Sequence, residues 1–165
     1  MGIVDALLPE FDHEMTTTRK VLERIPEDRF DWKPHVKSFS LGALATHVAT
    51  LLTWGAETLN KSDIDIAGGQ PPTALPSKAE LMATFDRNVA ATRSALAGRT
   101  DAELMAMWTL KRGGKTIFSM PKTAVLRSFV FSHLIHHRGQ LSVYLRLLDV
   151  PVPSIYGPSA DEPSF

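Results

Sequence analysis

The chain contains no cysteine among its 165 residues. That absence excludes disulfides, thiolate metal ligands and a cysteine nucleophile together. Any metal site must use nitrogen or oxygen ligands. An excess of charge is also lacking, since 18 Lys and Arg stand against 18 Asp and Glu. Such a balance argues against nucleic acid as a partner. No apolar run approaches the ~20 residues of a membrane span. The opening stretch Met1 to Glu10 has no basic segment ahead of an apolar one. The expectation is a cytoplasmic chain with no signal peptide and no membrane partner. Internal repeats and low-complexity tracts are absent too. With 44 % hydrophobic and 22 % charged residues, the composition is that of a globular protein, read as one domain over residues 1–165.

What is present is helical periodicity in four stretches. Val4, Leu8, Phe11, Met15, Thr18 and Leu22 recur at three- and four-residue steps and predict a first helix from Val4 to Arg24. Ser40 is a predicted N-cap for a second helix, Leu41 to Leu59, with Leu44, Val48, Leu51 and Gly55 facing inward. The sequence Ser77-Lys-Ala-Glu80 reads as a capping box that opens a third helix ending near Gly98. Thr100-Asp-Ala-Glu103 reads as a second box with one short turn of helix. Lys122 to Leu148 forms the last and longest helix, preceded by Pro121. Between the third and last helices, Met107 to Phe118 places β-branched and aromatic residues either side of Gly113-Gly114, a small hairpin. These elements predict an all-α, four-helix bundle with one minor hairpin. The polar connection from Asn60 to Ser77 is long enough to permit a crossover.

The six histidines are not equivalent. Counting 100° per residue, the positions Val130, His133, His137, Leu141, Tyr144 and Leu148 all fall within roughly 60° of Leu126. Two imidazoles one turn apart therefore interrupt an apolar stripe, and burying them without partners is costly. A shared metal ion would compensate both rings, as would hydrogen bonds to ordinary neighbours. His47 lies at the edge of the second helix's inner stripe, where it is either a boundary residue or a third ligand. His13 is expected to face solvent, His35 sits in a loop, and His136 points off the stripe.

The chain resembles the DinB/YfiT-like family of helical-bundle metalloproteins. The likeness rests on Phe30-Asp31-Trp32-Lys33-Pro34, on Ser38 through His47, on His133-Leu-Ile-His-His137-Arg-Gly-Gln140 through Leu148, and on Tyr156 through Glu162. The resemblance implies an up-down-down-up bundle and a metal triad of one histidine from the second helix and two from the last. Those roles fall on His47, His133 and His137. It also implies a homodimer. Some family members use low-molecular-weight thiols such as mycothiol or bacillithiol in S-transfer or isomerisation, and others have no assigned activity.

Three neutral imidazoles would leave a divalent ion its full charge and an open coordination position, the arrangement of catalytic zinc sites. Zinc and nickel suit imidazole, and iron, manganese or cobalt are compatible. The expected cofactor is one such ion per chain, and the expected partner a small-molecule substrate. Lewis acidity serves a thiol as well as a water, so the ligands leave open a thiol-dependent transferase, a hydrolase, or a metal-binding dimer without catalysis. Leu134 follows His133, so the His-Glu-x-x-His signature of metallopeptidases is missing. Gln140, Glu57, Asp161 and Glu162 are the expected groups to orient the ligands from behind. Tyr144, Trp54 and Trp108 are read as packing residues that could also wall a pocket.

Overall fold

Apolar faces spaced for helices give a mostly helical protein, seen in a computed structural model that describes residues 2–66 and 72–162. The first helix, α1, runs Ile3–Glu23, and a single 3-10 turn follows at Glu27–Arg29. Helix α2 is Leu41–Leu51, capped as expected by Ser40, whose hydroxyl accepts from the Ala43 amide at 3.2 Å. Helix α3, Thr53–Asn60, continues it after a break at Leu52. Asn88 and Thr92, on the facing helix, donate to the carbonyls of Ala49 and Leu52, and the Leu52 oxygen also accepts from the Gly55 amide at 2.9 Å in a tightened turn. Gly55 permits this approach, since a Cβ there would lie 2.6 Å from the Thr92 methyl.

That facing helix is α4, Lys78–Leu96. Only half of the expected box forms at its start, with Ser77 accepting from the Glu80 amide. The second box, at the start of α5 (Asp101–Met105), forms completely between Thr100 and Glu103. The last helical stretch is not uniform. It comprises α6 (Lys122–Val125), a π-helical segment (Leu126–Phe131) and α7 (Ser132–Leu147). Helices α1 and α2 each lie against both α4 and α7. Leu7, Phe11, Leu22, Leu44, Phe85 and Leu141 are among the side chains buried between them.

The expectation of four helices and one isolated hairpin is therefore too simple. The sheet has three strands: β1 (Asp63–Asp65), β2 (Met107–Arg112) and β3 (Lys115–Pro121). Strands β2 and β3 pair antiparallel around Gly113 and Gly114, whose φ angles of 55° and 77° suit a two-residue turn. Strand β1 joins β2 in parallel from within the connection read as polar and long enough for a crossover. Asp65 fixes it there by accepting from both turn amides, Gly113 and Gly114, at 2.7 Å. A hairpin alone is marginal in water, and this one also buries Trp108 and Leu110 against Val125. Residues 67–71 of that connection and 163–165 of the tail lie outside the described residues.

Candidate metal centre

The sequence reading placed His133 and His137 at the centre of the last helix's core stripe. The structure moves them to its edge. The buried line of α7 is Leu134, Arg138, Leu141 and Leu145, while His133 and His137 are half-buried beside it. The π segment explains the displacement. Its i→i+5 bonding accommodates more residues per turn than an α-helix, so a count of 100° per residue from Leu126 overshoots beyond Phe131. At the edge, the two rings meet His47 on α2, which is half-buried as well.

The three rings converge. Ring centroids lie 4.6 Å apart for His47–His137 and for His133–His137, and 5.2 Å apart for His47–His133. One nitrogen from each falls within 4.8 Å of the others. The His47 and His133 Nε2 atoms are 3.4 Å apart. Two nitrogens held tetrahedrally at zinc distances are separated by about 3.3 Å, so this spacing fits a shared divalent ion. The outward nitrogens are fixed in a matching way. His137 Nδ1 donates to Gln140 Oε1 at 2.7 Å, and His133 makes a hydrogen bond to the Phe129 backbone. The His137 bond places its proton on Nδ1 and leaves its Nε2 lone pair for the cluster.

Electrostatics agree with neutral rings. Burial lowers the His47 pKa to about 4, and His137 and His133 add to the shift. His133 is lowered chiefly by burial, opposed by its bond to Phe129. His137 is also lowered chiefly by burial, opposed by Gln140. Neutral imidazole is the form that binds metal.

A cleft of about 210 Å³ borders the cluster at His137. Lys37, Ser38, Phe39, Leu44, Gln140 and Tyr144 complete its lining among the described residues, none of them a carboxylate. Tyr144 stands edge-on to Trp32, centroids 5.5 Å apart, and its hydroxyl donates to the Phe39 carbonyl at 3.3 Å. It therefore walls the pocket as well as packing.

Of the groups expected behind the ligands, only Gln140 takes that place. Asp161 pairs with Arg146 and accepts from the Val152 amide. Glu162 pairs with Arg24 and accepts from the Ser154 amide. Both hold the tail down. Glu57 pairs with Lys61 on the surface of α3. Trp54 and Trp108 pack against each other beside the sheet, away from the cleft. His13 and His35 are exposed, and exposed His136 lies 4.9 Å from the His137 ring without joining the cluster.

One polar assembly escaped the sequence reading. Arg138, 1 % exposed, pairs with Glu14 of α1 at 2.7 Å. Its guanidinium also donates to Thr18 and to the Tyr156 hydroxyl, which itself donates to Glu14. Glu14 sits among Phe11, Met15 and Thr18 at helical spacing, and an acid on that stripe was the available signal.

Fold and site together define a mostly helical protein with an interhelical three-imidazole cluster that could hold a metal ion. The chain belongs to the DinB family, whose model matches residues 3–164. It is 26 % identical over 162 residues to the uncharacterized protein YrdA of Bacillus subtilis, covering 96 % of this chain and 91 % of the relative. Its fold matches a DinB-like protein from Bacillus cereus with a TM-score of 0.71 at 21 % identity, over 92 % of this chain and 97 % of that one. The DinB-like protein YjoA of Bacillus subtilis matches equally, with a TM-score of 0.71 at 21 % identity over 91 % and 96 % of the two chains. Among the described residues, no helix is long and apolar enough to cross a membrane.

Proposed function

We propose that the chain binds one divalent ion through the Nε2 atoms of His47, His133 and His137 and uses it to transfer a group to or from a small thiol. The observation that carries the metal reading is the 3.4 Å approach of two Nε2 atoms whose neighbours favour neutral rings. Two lone pairs at that distance repel unless a proton or a cation lies between them. When bound, such an ion supplies Lewis acidity and favours the ionised form of a thiol that reaches it. The protein's own contribution is orientation. Gln140 fixes the His137 ring, and Phe39, Leu44 and Tyr144 give the adjoining cleft apolar walls. Family resemblance supplies the thiol. The missing carboxylate in the cleft lining weighs against hydrolysis, which needs a base to activate water.

Zinc or nickel is the favoured ion, with iron, manganese and cobalt compatible with the same donors. The same reading treats the four long helical stretches as an up-down-down-up bundle acting as a cytoplasmic homodimer. The test is direct. Purified without a histidine tag, the protein should carry about one metal per chain, and His137→Ala should abolish it. Unchanged metal content in that variant overturns the assignment. A panel of cellular thiols with an electrophilic acceptor should then show metal-dependent turnover. Ester hydrolysis without thiol turnover would make the protein a hydrolase, and neither activity would leave it a binding protein.

A further inference from the structure

The cleft beside the histidines has a charge pattern that selects its ligand. Among the described residues its lining contains one ammonium group, Lys37, and no carboxylate. Lys37 makes no ion pair among the described residues, and the adjoining cleft across Ser38 and Phe39 holds one cation and one anion, Lys33 and Asp31. Gln140 adds a second donor. Its Oε1 is taken by the His137 Nδ1–H, so its amide nitrogen remains to donate. The Tyr144 hydroxyl proton is spent on the Phe39 carbonyl. Around a space equal to roughly seven waters, the free charged and amide groups are therefore donors, beside a cluster suited to a cation.

We propose that the cleft takes a small thiol bearing a carboxylate, with the carboxylate held by the Lys37 ammonium and the Gln140 amide and the sulfur directed to the histidine cluster. The proposal rests on the metal reading above and adds the substrate's charge to it. An ammonium–carboxylate pair is charge-assisted but lies at an exposed rim. The discrimination expected from Lys37 is therefore about fivefold in affinity, declining with added salt.

The experiment uses the full-length chain loaded with cobalt, whose visible spectrum reports thiolate ligation. Mercaptopropionate and the uncharged mercaptopropanol are titrated separately. Wild type should prefer mercaptopropionate. Lys37→Met should lower that preference about fivefold with cobalt content unchanged, and Lys37→Arg should retain most of it. Equal affinities for the two thiols in wild type overturn the proposal, as does a preference that Lys37→Met leaves intact. Failure of the metal reading looks different: cobalt then fails to bind in stoichiometric amount, or His137→Ala leaves its spectrum unaltered. Loss of the carboxylate preference in Lys37→Met with retained response to mercaptopropanol would separate ligand recognition from damage to the metal site.

Discussion

Arg138 follows directly after His137, yet its side chain has a different task. It fills the core side of α7 with a guanidinium rather than a hydrocarbon, and α1 and the tail supply its partners. Taking two charges out of water is costly, and their mutual attraction offsets the cost only while the set of hydrogen bonds is complete. Here Glu14, Thr18 and Tyr156 complete it. Removing one ion should therefore cost more than removing both. Arg138→Met is expected to destabilise the fold by about 3–5 kcal/mol, because it strands the Glu14 carboxylate. Glu14→Leu combined with Arg138→Met should recover much of that loss. Denaturant unfolding of wild type, the two single variants and the double variant measures the coupling. Additive costs would mean that the charges do not depend on one another. The sequence disguised this pair, since Arg138 reads as part of a polar run of His, Arg, Gly and Gln, while its partner lies on another helix.

At the scale of elements, local signals were legible and register was not. Ser40 and Thr100 cap as their sequences suggest, and Gly113-Gly114 turns the hairpin. The three histidines could be nominated because polar rings on apolar faces are conspicuous. Strand β1 was hidden because three residues show no period, and its pairing depends on a partner far along the chain. The π segment was hidden for a related reason: periodicity assumes the regular helix that it interrupts. That segment sets where His133 and His137 point relative to the core. Deleting exposed Ser128 should return Leu126–Phe131 toward an ordinary α-helix and rotate the two flanks against each other by about 100°. Leu126 and Leu134 could not then both keep their buried places. The variant should melt at lower temperature and bind less than one metal per chain, by calorimetry and metal analysis. Full metal content with an unchanged melting temperature would show that the extra residue has no part in aiming the rings.

For the molecule as a whole, the histidine cluster introduces a dependence on pH that overall charge does not suggest. The formal net charge is zero with the histidines neutral, so general repulsion is small near neutrality. Three rings with lowered pKa values nevertheless refuse protons that the unfolded chain accepts. Above the ordinary histidine value of 6.5 the rings are neutral in both states, and their contribution to stability is complete. As pH falls from 6.5 toward the His47 value of about 4, the unfolded chain gains protons first and stability is lost. Glu103 and Asp161 are also lowered, by Thr100 and Arg146 respectively, but they act in a more acidic range. The metal-free protein should therefore lose thermal stability in two stages on acidification. His47→Gln should shrink the upper stage to what His133 and His137 contribute and leave the lower one. Bound metal should raise the melting temperature at neutral pH and steepen the acid loss, because protons then compete with the ion for the same nitrogens. Melting curves for metal-free and metal-loaded protein between neutrality and pH 4 test both effects. An upper stage of undiminished size in His47→Gln would show that this ring has no part in it.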